Sequence, residues 1–379
     1  GAGMVQKCPR VVTQGLIISA SAVPVLAVVG FAAGQAFDLL GHDPRQVPLE
    51  RAYFYTLMAG SPFHLVKACL ASYFVGIGRT RVVMLVDVVG VCVNIPLTWL
   101  LVFGHLGLPE LGIVGAGVAT IVAQFITICM FLRIYLEREH RVQFRLAESF
   151  TLDRGVMRRY IRLGTPSALE NFMNTATFNV FLLMFQSYGV VEGAAIAIVF
   201  NWDMLSFIPM TGLGIGVMSL IGRFVGARDM DRANQVISSG FILALGYSGL
   251  LAVLFLVYRV ELIDVFATGD EHFDDIRTLG SSMMLGLVTY MIADATILIT
   301  GGTLRGAGDT RWVMLVSTTL HLIMLAAQYL VIRIWALEPL VSWWVFVAML
   351  LSIAACYLWR LLQGRWRRPE RLARVMAEH

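Results

Sequence analysis

An all-α polytopic membrane protein is the fold class this sequence predicts, and three observations predict it. Of 379 residues, 58% are hydrophobic and 14% are charged, against about 25% charged in an average soluble domain. The mean hydropathy is +0.75. The apolar residues gather in ten runs, each near the roughly 20 residues that a spanning helix needs, with short polar links carrying Gly, Pro or Asp between them. Runs of this length without strand alternation argue against a transmembrane barrel, whose strands are about 10 residues long.

The predicted spans are 12–36, 50–75, 82–104, 111–135, 163–188, 193–219, 234–258, 278–303, 312–335 and 341–363. Lys and Arg orient them, because cytoplasmic links hold the excess. With the first residues inside, the inside segments collect 22 of the 29 Lys and Arg and the outside links 5; Lys67 and Arg133 fall within spans. Both ends are therefore expected in the cytoplasm. The net charge of +4 follows from this bias, and no stacking or RNA-type motif accompanies it, so nucleic acid is not an expected partner. Cys69, Cys92, Cys129 and Cys356 lie in apolar runs and Cys8 on an inside link, without metal spacing; neither a disulfide nor a metal site is expected.

The chain repeats itself. Residues 61–84, SPFHLVKACLASYFVGIGRTRVVM, resemble residues 291–314, MIADATILITGGTLRGAGDTRWVM, above all at Gly76–Arg81 against Gly306–Arg311. Pro109 and Pro339 match at the same offset of 230, and residues 1–15 resemble 226–240 at an offset of 225. Co-linear matches across both halves are the signature of duplicated transporter halves. Two spans precede Gly226, but none precedes its counterpart Gly1. The first half is thus expected to lack its first two helices relative to a six-plus-six parent, and a chain lacking them to transport poorly. The organisation expected is an N-terminal lobe of four spans at 1–140, a cytoplasmic linker at 141–162, a six-span lobe at 163–364 and a basic tail at 365–379.

Four stretches carry a family resemblance: ELGIVGAGVATIVAQ at 110–124, LGTPSALE at 163–170, FNWDMLSFIPMTGLGIGVMSLIGRFVGA at 200–227, and Tyr290-x-x-x-Asp294 followed by GGTLRGAGDT. Together they resemble the multidrug and toxic compound extrusion (MATE) family of NorM-like secondary transporters. The resemblance implies a two-lobe helical bundle around a central cleft, with about ten of twelve transmembrane helices present here. It also implies export of bulky, often cationic, amphipathic organic compounds in exchange for Na+ or H+, in what would be a bacterial inner membrane. No cofactor beyond the coupling ion and no obligate protein partner is expected; small organic substrates and membrane lipid are.

An ionised carboxylate at the bilayer centre costs at least about 2.5–3.5 kcal/mol on insertion scales, so intramembrane acids face a cavity or a partner. Asp294 has no basic residue within ten positions, and Tyr290 lies one turn earlier on the same helical face. A carboxylate beside a phenol can ligate a hard cation through oxygen, or it can exchange a proton when desolvated. A structural aspartate bonded to a neighbouring helix is the bland alternative; in the family the matching Tyr and Asp take part in cation binding.

Glu170 and Asn174 form a second i,i+4 pair past Pro166. In the sodium-coupled relatives a glutamate stands where this chain has Asn174, which leaves the choice between sodium and proton open. Asn201 matches the family's polar residue in the eighth helix and is a candidate cation ligand. Asp203, two positions on, points about 200° away and is a candidate substrate or interhelical contact. His64 occupies the place of Asp294 in the other half; it and Asp87 are candidates for the substrate cavity, with a Lys67–Asp87 ion pair between neighbouring helices as the structural alternative. Gly212, Gly214, Gly216 and Gly222 are expected to let helices approach closely.

Two other functions are weighed. Gly306-Ala307-Gly308-Asp309 fits the GxGD pattern of intramembrane aspartyl proteases, whose catalysis needs a second aspartate at the same depth, but Asp309 sits between Arg305 and Arg311 in an inside link, where a turn is expected rather than a dyad. A lipid-linked oligosaccharide flippase would carry more buried basic residues for pyrophosphate than Lys67 alone. The expectation is a transporter, not an enzyme.

Overall fold

The computed structural model describes residues 7–39, 45–146, 149–267 and 272–367. Each of the ten predicted spans is a long helix: α1 (Cys8–Ala36), α2 (Val47–Gly76), α3 (Thr80–Phe103), α4 (Gly112–Tyr135), α6 (Arg154–Gln186), α7 (Val190–Gly226), α8 (Met230–Val257), α10 (Phe273–Gly306), α11 (Thr310–Tyr329) and α12 (Pro339–Leu362). Two short helices, α5 (Arg138–Phe144) and α9 (Arg259–Asp264), lie in links, and α11 runs on into a π-helical turn at Leu330–Ile334. Pro24, Pro62, Pro96, Pro166 and Pro209 all sit inside continuous helices.

Eight of the ten are long and apolar enough to cross a membrane by length and composition. The other two, α2 and α6, fall short of that measure; α2 carries Glu50, Arg51 and Lys67, and α6 carries Arg154, Arg158, Arg159, Arg162 and Glu170. Large aliphatic side chains such as Val28 and Ile242 are about seven-tenths exposed, a surface suited to lipid.

The chain divides into two compact units, one running through Tyr160 and the other beginning at Ile161. The boundary falls inside α6, so the predicted linker at 141–162 holds the end of α5 and the first turns of α6. In the first unit, α2 and α3 both pack on α4, and α1 packs on α2. In the second, α10 is central, with α7, α8 and α12 against it.

The sequence repeat is a repeated turn. Helix α2 ends with Ile77 N–H donating to Tyr73 O, Gly78 N–H to Val75 O and Arg79 N–H to Phe74 O. Helix α10 ends the same way through Ala307, Gly308 and Asp309, donating to Thr303, Arg305 and Leu304. Gly78 and Gly308 have φ of 81° and 83°, the left-handed position that closes such a helix end and that glycine adopts without a Cβ penalty. A third copy follows α7, where Arg228 takes that position at φ 58°.

Helices α7 and α10 touch backbone to backbone. A Cβ on Gly302 would stand 2.6 Å from Gly214 O, and one on Gly306 would stand 2.5 Å from Met218 O. The expectation of close packing thus holds at Gly214 and, more loosely, at Gly222; a Cβ on Gly212 or Gly216 would meet open space. This contact sets the register between the two helices that carry Asp203 and Asp294.

Candidate functional site

The site is built on α7 and α10 of the second unit. Tyr290 is fully buried, its ring edge-on to Phe346 and Trp343 at 5.8 and 6.1 Å between centroids. Phe346 stacks on Phe181 at 4.7 Å, and Trp343 Nε1 donates to Met283 O at 2.9 Å. Four helices, α6, α7, α10 and α12, supply this aromatic floor, since Phe200 also packs against both Trp343 and Phe346. The phenol is therefore held rigidly, which fixes where its oxygen stands.

Above that floor sit two acids, both half-buried. The Asp203 carboxylate adjoins the Tyr290 hydroxyl, and Asp203 and Asp294 act on each other by charge, with no cationic side chain beside either among the described residues. Tyr290 Oη and Asp203 Oδ1 are buried and close no hydrogen bond of ordinary geometry among the described residues. Buried polar atoms are rarely left so. Two neighbouring carboxylates cannot both stay ionised without compensation, and the Tyr290 phenol beside Asp203 adds a further oxygen. The arrangement can hold a hard cation through oxygen or a proton on one acid.

The other predicted residues fall elsewhere. Asp203, not Asn201, is the α7 side chain that reaches Tyr290. Asn201, expected as a cation ligand, is exposed and its amide donates to Ala197 O within its own helix at 2.8 Å; the 200° separation of the two residues holds, and Asp203 makes the interhelical contact. Glu170 is buried and gripped by Arg305, with Nη2 to Oε1 at 2.5 Å and Nε to Oε2 at 3.2 Å, and it accepts from Tyr357 at 3.3 Å. Asn174 accepts from Ser317 at 2.9 Å. Neither joins Asp294: Arg305 is eleven residues beyond it on α10, about 16 Å along the axis.

In the first unit, Asp87 meets Lys67 at 2.8 Å, so the ion pair between α3 and α2 is present and the Asp87 charge is balanced. His64 is exposed on α2. Asp309 is paired with a base: Arg360 Nε donates to its Oδ2 at 3.0 Å, and the guanidinium lies over Trp312, 5.1 Å from the ring centre. It is a charge-balanced turn residue. Reasoning from sequence missed Arg305, Arg360 and Tyr357, whose partners lie 51 to 187 positions away; no local spacing signals them.

The family model for MatE matches residues 1–100 and 166–330. The chain belongs to the MatE family. Membership makes this MatE protein an integral membrane transporter and not an enzyme. It is 26% identical over 376 residues to the multidrug resistance protein NorM of Photobacterium profundum, covering 97% of this chain and 80% of that protein. To the NorM of Aliivibrio fischeri it is 27% identical over 312 residues, covering 82% of this chain and 66% of that one. Among solved structures, it is similar to a MATE in complex with MaL6, with a TM-score of 0.81, 19% identity, and 99% of this chain and 85% of that chain covered. A MOP superfamily transporter from Pyrococcus furiosus matches with a TM-score of 0.80, 17% identity, and 97% and 85% covered. At these identities the structural likeness establishes the MatE fold.

Proposed function

We propose that this MatE protein is a secondary active multidrug exporter that expels organic, cationic compounds in exchange for Na+ or H+ by alternating access. Asp294, Asp203 and Tyr290 form its ion site. One observation carries the reading. Lys67, Arg305 and Arg360 are each balanced by an acid, Asp87, Glu170 and Asp309, whereas Asp203 and Asp294 have no cation beside them among the described residues. The uncompensated charge at this site is therefore negative, which suits a cationic visitor. The multidrug resistance names of the NorM relatives support the same reading.

In this scheme the ion and the drug each bind one state of the transporter better than the other. Each shifts the equilibrium only by that difference in affinity. The Lys and Arg distribution favours both ends of the chain in the cytoplasm, so ion entry from outside drives drug outward. The flippase alternative would need an unpaired buried cation for pyrophosphate, and Lys67 is engaged with Asp87.

Reconstituted proteoliposomes separate the two. An imposed Na+ or pH gradient is expected to drive uptake or release of a fluorescent organic cation and not of an anionic lipid-linked oligosaccharide. Movement of the lipid-linked anion alone would overturn the proposal.

A further inference from the structure

A second chain of polar groups runs through the same unit, away from Asp294. It begins at Arg305, on the last turn of α10, whose guanidinium holds both oxygens of Glu170 from α6. Tyr357 of α12 donates to Glu170 Oε1 and reaches Val313 O, each at 3.3 Å, and its hydroxyl adjoins Ser317. Ser317 of α11 donates to Asn174 Oδ1 at 2.9 Å and stands 3.4 Å from His321 Nδ1. The chain ends at His321, mid-way along α11 and 8% exposed.

The His321 ring has a defined polarity. Its Nδ1 lies 2.8 Å from Ser317 O. A carbonyl can only accept, so Nδ1 carries hydrogen and the neutral ring keeps its lone pair on Nε2. A proton can add at Nε2 without breaking the Ser317 bond. The titratable group that acts on the imidazole from a neighbouring helix is Glu170 on α6, which in turn is held by Tyr357 on α12 and Arg305 on α10; α11 itself adds the Ser317 hydroxyl. The charge of Glu170 acts on the ring, and it is the acid whose field favours an imidazolium there.

We propose that His321 is a second proton-binding residue of this transporter, taking its proton at Nε2, favoured there by the field of Glu170 and separate from the Asp203–Asp294 site. The exporter would then respond to pH through α11 as well as through the ion at α10. Proton binding by His321 does not depend on the antiport reading, because it can be measured without transport.

Side-chain nitrogen NMR of the 15N-histidine-labelled protein in nanodiscs tests this directly. The protein has seven histidines, and the signal that His321→Gln removes is that of His321. That signal is expected to titrate. Glu170→Gln should lower its midpoint by about one pH unit, as loss of a nearby opposite charge does. Asn174→Asp, which adds a carboxylate beside Ser317 and leaves the Glu170–Arg305 pair alone, should raise it, and it serves if Glu170→Gln does not fold. Asp294→Asn should leave it in place. A ring that stays neutral throughout the titration, or a midpoint indifferent to both Glu170→Gln and Asn174→Asp, would overturn the proposal.

Discussion

Arg305 and Glu170, 135 residues apart in the chain, meet in a two-point ion pair that ties the end of α10 to the start of the apolar part of α6. The carboxylate is 3% exposed and the guanidinium 26%. Removing one partner of such a pair leaves a buried charge alone, which costs about 3–5 kcal/mol, whereas replacing both with apolar groups is often neutral. Glu170→Ala is therefore expected to lower the unfolding temperature in detergent strongly, and the double variant Glu170→Leu with Arg305→Met to recover most of the loss. Equal losses in the single and double variants would show that the pair is not what holds this contact.

The α7–α10 contact gives a sharper comparison between glycines. Gly302→Val puts side-chain atoms against Gly214 O, where a Cβ would already stand at 2.6 Å; overpacking of this kind costs about 1–3 kcal/mol. Gly212→Ala points into open space and should change the unfolding temperature little. Since Asp203 and Asp294 are positioned by this contact, Gly302→Val should also weaken ion binding. A tolerated Gly302→Val would mean that the two helices do not approach as closely as the backbone indicates.

The repeated turn predicts a sign difference. Gly308→Ala forces a Cβ into a left-handed conformation, at a cost of about 1 kcal/mol, while Arg228→Gly relieves one at the equivalent place. Thermal unfolding of the two variants should move in opposite directions.

His140 predicts an acid-sensitive α5. The ring is buried between Tyr73, Phe74, Tyr135 and Phe144; Tyr73 Oη is 2.9 Å from Nε2, and Nδ1 has no partner among the described residues. Burial, with the nearby charge of Arg79, lowers its pKa from 6.5 to about 4. The released form takes a proton near 6.5 and the docked form only near 4, so the docked state is fully favoured above the higher value and loses ground as pH falls through that window. Hydrogen exchange of the α5 amides should quicken between those pH values, and His140→Phe should flatten the dependence.

The long helices were legible because hydropathy is a local property: each span announces itself within its own twenty-odd residues. The Gly78 and Gly308 stretches could be matched because their residues repeat, but that each glycine closes a helix in the left-handed conformation shows only in the backbone. Tyr290 and Asp294 could be paired because four residues make one turn. Spacing shows that Asn201 and Asp203 point apart but not which of them faces α10; that depends on the Gly214–Gly302 contact, a property of two helices together. The partners of Glu170, Asn174 and Asp309 were hidden for the same reason, and so was the charge balance that leaves Asp203 and Asp294 with no cation beside them among the described residues.

Ion-jump-driven efflux by the reconstituted protein, with Na+ and pH stepped separately, tests the ion site most directly when Asp294→Asn is compared with the unaltered protein. The account predicts that a step in one of the two ions accelerates efflux of an organic cation, and that Asp294→Asn removes this acceleration while the helical content stays the same. Efflux by Asp294→Asn with the same rate and the same ion dependence would contradict it.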